Sequence, residues 1–166
     1  MKAPILNMAD VKLEPLPVPE RLADKFGCER AKLGDGLGAR LLGYNLTVVQ
    51  PGKRAFPFHV HRVNEEMFFI LDGEGELRYG KERFPLKPGD TVACLAGDAD
   101  RAHQIINTSK DAVLRYLSVA TTLMPEILDY PDSGKFGVVM ENQAGERVFE
   151  YRGRRETSQD YWEGEA

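Results

Sequence analysis

Two of the chain's three histidines stand together as His59-Val60-His61. The segment follows Pro51-Gly52 and reads as strand, where residues i and i+2 point to one face. Both imidazoles then aim the same way, with Cβ atoms about 6–7 Å apart. That span suits two ligands of one metal ion, given metal–nitrogen bonds of about 2.0–2.1 Å. Five residues beyond His61, Glu66 opens the next extended run and shares its parity with Phe68 and Ile70. Glu65 has the opposite parity and reads as a rim or solvent charge, an inward role being its alternative. His103 lies in a further extended run, ahead of Gln104-Ile105-Ile106 and Asn107. An isolated His-x-His pair is weak ground for a metal, because either histidine alone is more often a satisfied polar residue. The placement of all three decides the matter.

The elements that must position these residues are strands. Residues 41–50, 66–71, 76–79, 83–86, 91–95, 102–106 and 112–120 are short apolar runs bounded by Gly, Pro, Asn and Asp. Such spacing predicts an antiparallel sandwich or barrel, and the absence of alternating helices excludes a parallel α/β sheet. Residues 1–19 carry Pro4, Pro15, Pro17 and Pro19 and read as an extended arm. Residues 20–30 are the best helix candidate, and Gly34, Gly36 and Gly38 then break any helix. That glycine run follows no strong strand and precedes no helix, so it is a poor dinucleotide site. Residues 125–131 read as one helical turn or a loop, and 136–141 and 147–151 as two further strands. Arg152-Gly153-Arg154-Arg155 reads as a solvated stretch. Tyr161-Trp162 is an aromatic pair expected to dock on the body or on a neighbouring subunit. The organisation expected is one domain: arm and short helix (1–38) packing on a barrel core (39–120), with C-terminal strands and an irregular tail (121–166).

Composition narrows the function classes. At 166 residues the chain can bury a core without disulfides or metals. A net charge of −4 argues against nucleic-acid binding. No apolar run approaches the about 18 residues of a membrane helix, and the first residues show no apolar leader segment. Cys28 and Cys94 form no metal-binding spacing and read as two reduced thiols of a cytoplasmic protein.

The ordered set Gly52, His59, His61, Glu66, Gly73, then Gly89, Gly97, His103 and Asn107, resembles the two-box motif of the cupin superfamily. The four residues between His61 and Glu66, the six between Glu66 and Gly73, and the three between His103 and Asn107 agree with that family. Six residues separate Gly52 from His59, one more than the family norm. Leu95 stands where the family has Pro, and five residues rather than two separate Gly97 from His103. The short stretch between the boxes is that of small bacterial-type cupins. The resemblance implies an all-β jelly-roll (double-stranded β-helix) barrel with one metal bound by His59, His61, Glu66 and His103.

Such a ligand set leaves one or two positions open for water, substrate or dioxygen. Imidazole plus carboxylate suits divalent Fe, Mn, Ni, Co, Cu or Zn without choosing among them. Phe56, Phe58, Phe68, Ile70 and Asn107 are candidates for the pocket wall, plain core being the other reading of the apolar four. Arg54, Arg62 and Arg101 lie near the motif as partners for a phosphate, although Arg62 has the wrong parity to point inward. The function expected is a metal-dependent enzyme on a small polar metabolite, sugar-phosphate isomerase-like or dioxygenase-like. The alternative is a non-catalytic small-ligand binding or sensor module. Residues 66–71 are apolar on both faces, so a second subunit or the N-terminal arm must cover them, and a homodimer is expected.

Overall fold

The structure, a computed structural model, describes residues 3–142 and 144–165. Strands follow one another as β1 (Glu14–Pro15), β2 (Cys28–Lys32), β3 (Leu42–Val49), β4 (Val60–His61), β5 (Glu66–Asp72), β6 (Gly75–Tyr79) and β7 (Glu82–Leu86). Then come β8 (Thr91–Cys94), β9 (His103–Ile106), β10 (Leu114–Thr121), β11 (Glu126–Tyr130), β12 (Lys135–Glu141) and β13 (Arg147–Arg154). They form a six-stranded sheet β1-β2-β3-β10-β5-β8, a four-stranded sheet β13-β12-β11-β4 and a three-stranded sheet β7-β6-β9. Every strand pair is antiparallel.

Alternation along each strand builds the interior. Val49, Phe68, Ile70, Val92, Cys94, Leu114 and Tyr116 point from the six-stranded sheet into the same core as Leu77, Leu86 and Ile105 of the three-stranded one. The opposite parity of the large sheet faces outward. There Ala31, Leu33 and Leu46 form a second cluster, against which Val11 and Leu13 of the arm pack together with Leu71 and Leu117. The antiparallel all-β architecture expected from the strand pattern is observed, and it fits the jelly roll that the cupin resemblance implies.

Three local expectations need correction. Residues 20–30 are not a helix: after a 3-10 turn at Glu20–Leu22, Cys28–Lys32 pairs with β3. Pairing to an open strand edge outweighs the weak amphipathicity of that segment. The glycines at 34–38 do not exclude a helix. A short one, α1 (Leu33–Leu37), forms because Gly34 lets the turn lie against β3, where a Cβ would come 3.2 Å from the Tyr44 nitrogen. Residues 125–131 hold neither helical turn nor loop but β11, added beside β4. At the C-terminal end Tyr161 and Trp162 stand 83% and 73% exposed, edge-to-face with each other at 4.8 Å, rather than docked on the body. No helix among the described residues is long and apolar enough to cross a membrane.

Candidate metal centre

His59 and His103 face each other on an isolated antiparallel bridge between the sheets. Each donates its amide to the other's carbonyl, His59 N to His103 O at 3.2 Å and His103 N to His59 O at 2.7 Å. His61 is held next along by β4, whose partner across the ladder is Leu128 of β11, and its carbonyl accepts the Gly97 amide at 2.9 Å. Glu66 opens β5 between Cys94 and Ala120. The five residues between Gly97 and His103 are taken up by a 3-10 turn, Ala99–Arg101. Gly80 pins that turn by donating to the Ala102 carbonyl at 2.7 Å. The extra residues bulge outward and His103 keeps its place.

The ligand atoms of His59, His61, Glu66 and His103 lie within 4.8 Å of one another. Glu66 Oε2 is 2.9 Å from His103 Nε2, 3.2 Å from His61 Nε2 and 3.8 Å from His59 Nε2. Converging atoms at these distances, on side chains no more than about one-sixth exposed, form a seat for one cation. His61 Nε2 is buried without a properly aligned hydrogen bond, a deficit that a bound ion would remove. The donor set, three imidazoles and a carboxylate, fits a divalent transition metal.

The surroundings tune these donors. His59 Nδ1 lies 2.8 Å from the Pro57 carbonyl, so a proton held there turns Nε2 toward Glu66 as the free lone pair. His61 Nδ1 lies 3.2 Å from Glu126 Oε2, an ion-pair contact off the straight hydrogen-bond direction. Glu126 is 6% exposed, and its carboxylate takes the Asn64 amide and the Ile127 amide, the latter at 2.9 Å. Asn64 is fixed in turn by Thr121 Oγ1 and the Leu123 amide at 2.8 and 2.7 Å. Burial and the neighbouring His103 pull His59 down to about 4. Burial opposes charge on His61 as well, but Glu126 and Glu66 outweigh it and raise the ring to about 9. Burial also opposes ionisation of Glu66, yet His103 and His61 hold its carboxyl well below the usual carboxylate range. The centre thus presents an ionised carboxylate among imidazoles.

The remaining sequence candidates are spread around this seat. Phe68 lies beneath it, its ring 5.7 Å from His103 and 5.5 Å from Tyr116. Ile70 is one step further down, fully in the core. Phe56 and Phe58 border a cleft of about 440 Å³ beside the centre, together with Leu16, Pro19, Tyr130 and Lys135. Tyr130 connects the two regions, its ring stacked 6.3 Å from that of His59. Asn107 is occupied elsewhere: its amide donates to Val49 O and Ala112 O at 3.0 and 2.8 Å and its oxygen accepts from Ser109 N. Glu126 and Tyr130 do not stand out in the sequence because residues 125–131 read as a helical turn or a loop. Parity counted back from Tyr130 would have put Glu126, Leu128 and Tyr130 on one face.

A cupin domain family model matches residues 45–120, the span holding all four candidate ligands. The chain is similar to a sugar phosphate isomerase of the cupin superfamily from Silicibacter pomeroyi, at 27% identity and TM-score 0.78 over 93% of this chain and 95% of that one. It is also similar to a protein of Acidithiobacillus ferrooxidans provisionally named a sugar phosphate isomerase, at 26% identity and TM-score 0.77 over 95% and 96%. The Streptomyces resistomycificus polyketide cyclase RemF shares the fold at 22% identity and TM-score 0.57, over 76% of this chain and 83% of that one. No curated protein sequence matches. With both motif boxes inside the matched span and their side chains converging on one seat, residues 45–120 form a cupin domain.

Proposed function

We propose that the chain is a metal-dependent enzyme that isomerises a small phosphorylated sugar. The observation that carries this reading is the convergence of His59, His61, Glu66 and His103 on one point, with two similar structures bearing sugar phosphate isomerase names. A divalent ion held there would act as a Lewis acid on a substrate carbonyl. The chain's own residues keep the seat in register. The Pro57 carbonyl fixes the ring of His59, the Glu126 carboxylate stands against Nδ1 of His61, and the Phe68 ring packs beneath His103.

A second reading, a small-ligand binding module, is favoured by the cleft beside Tyr130, whose lining is mostly apolar. The two buried free thiols fit a reducing compartment, and the reading therefore includes a cytoplasmic location. It also includes a homodimer. Leu42, Phe69 and Leu95 remain exposed on the outer face of the large sheet, beyond the part that the arm covers.

Purified protein reconstituted with Fe, Mn, Ni, Co, Cu or Zn is expected to bind about one equivalent, and the His59→Ala and Glu66→Ala variants far less. Loaded protein is expected to interconvert members of an aldose- and ketose-phosphate panel, read by NMR. Metal binding without turnover of any sugar phosphate would favour the binding module. Less than about a tenth of an equivalent of every metal would remove both readings of the centre as a metal site.

A further inference from the structure

The cleft beside the metal centre is walled by two distant parts of the chain. One wall is the N-terminal arm, where Leu16, Val18, Leu22 and Phe26 are each half-buried. The other is Tyr130 and the turn that follows it, with Phe56 and Phe58 between the two. Main-chain bonds fix the arm in place. The Arg54 amide donates to the Lys25 carbonyl at 3.0 Å, and the Arg54 carbonyl accepts the Gly27 amide at 3.2 Å. The Lys53 ammonium adds a bond to the Ala23 carbonyl at 2.7 Å. The cleft is thus part of the fold, and its volume of about 440 Å³ falls within the about 300–1,000 Å³ of small-molecule sites.

The charged groups of its lining are mostly positive. Arg54 is half-buried, 6.0 Å over the Phe26 ring, and Lys135 is exposed at the rim, 5.8 Å over the Tyr130 ring. Neither is within ion-pair distance of a carboxylate among the described residues. Asp132 is the single acid of the lining, and Arg78 grips both its oxygens at 2.7 and 2.8 Å. The charge of Arg54 reaches Asp132 as well, which places the guanidinium toward that end of the cleft. Gln104 spends its amide on the Phe56 carbonyl at 2.7 Å. Three cations therefore stand against one carboxylate around walls that are otherwise apolar and aromatic, an excess that favours an anion. A bare inorganic anion would leave those walls unused, and a neutral apolar molecule would leave Arg54 without a counter-ion. Flat rings suit aromatic walls, and a carboxylate suits the paired donors of a guanidinium.

We propose that this cleft binds a small aromatic carboxylate, its ring between the arm and Tyr130, its carboxylate on Arg54 and Lys135 adding charge at the rim. Such a site gives the binding-module reading its ligand class and is independent of the isomerase chemistry at the metal centre.

Calorimetric titration of the metal-free full chain with 2-naphthoate tests it. Two comparisons accompany it: 2-naphthalenemethanol has the rings without the charge, and inorganic phosphate has the charge without the rings. Naphthoate is expected to bind at about one equivalent and about tenfold or more tighter than either. Arg54→Gln is expected to weaken naphthoate about tenfold, Arg54→Lys less, and Lys135→Gln about threefold. Amide shifts on naphthoate addition, followed by NMR, are expected within residues 54–58 and 130–135. The proposal is overturned by an absence of saturable naphthoate binding, by an alcohol or phosphate that binds as tightly, by unchanged affinity in Arg54→Gln, or by shifts confined to other segments. The acid-against-alcohol comparison in the wild type and the surface variant Lys135→Gln decide the matter if Arg54→Gln does not fold. With metal absent from every titration, failure of the isomerase reading and failure of the cleft are read separately.

Discussion

Glu126 sets the chemistry of His61 from behind. A carboxylate on the outer nitrogen of a ligating histidine fixes its tautomer and strengthens the inner nitrogen as a donor, and losing it typically lowers metal affinity about 10–100-fold. Glu126→Gln should show a loss of that size in competition with a metal buffer. The pKa of His61 in metal-free protein, followed by NMR, should fall from about 9. A loss of affinity without that fall would mean that Glu126 matters only for packing. Protons and metal compete for the same ring nitrogen, so apparent metal affinity should rise as pH increases toward about 9, as titrations at several pH values would show. In the metal-free protein the sign is reversed. The raised His61 contributes stability that is fully present below its ordinary 6.5 and lost as pH rises through about 9. The four candidate ligands were legible as residues because types and spacing carry them. Glu126 was not, because its place behind His61 depends on β11 pairing with β4.

At the level of elements, the site depends on turns that hold the histidine strands in place. Gly80 has φ of 55°, and a Cβ there would come 2.4 Å from the Asp100 carbonyl oxygen. Gly80→Ala must push back the 3-10 turn leading to His103. It should lower stability by about 2–4 kcal/mol and reduce metal uptake, measurable by denaturant unfolding and metal analysis. The barrel strands from β3 to β10 were readable because alternation and Gly- or Pro-rich turns mark them. The segments at either end were not. Cys28–Lys32 and Glu126–Tyr130 are strands because β3 and β4 offer partners, a long-range fact that leaves little trace in a window of eleven residues. The one-turn helix at Leu33–Leu37 is hidden for the opposite reason: Gly34 gains more by close packing on Tyr44 than it costs the helix.

The whole molecule carries more apolar surface than its own arm covers. Val11 and Leu13 pack on the cluster that Leu71 and Leu117 also join, whereas Leu42 and Phe69 keep 49% and 37% of their surface in water. A second copy seated there would bury both. Phe69→Asp should therefore convert a dimer to a monomer in sedimentation at tens of micromolar while leaving metal content intact; a wild-type monomer at that concentration would remove the dimer. The reciprocal amide bridge between His59 and His103 has a consequence for how the protein is loaded. Two donors 44 positions apart in the chain are already side by side on one rung of main-chain bonds once the fold forms. An arriving ion would meet a seat whose ligands the fold has already brought together. Metal added to folded, metal-free protein is therefore expected to load without prior unfolding, as metal analysis after simple mixing would show.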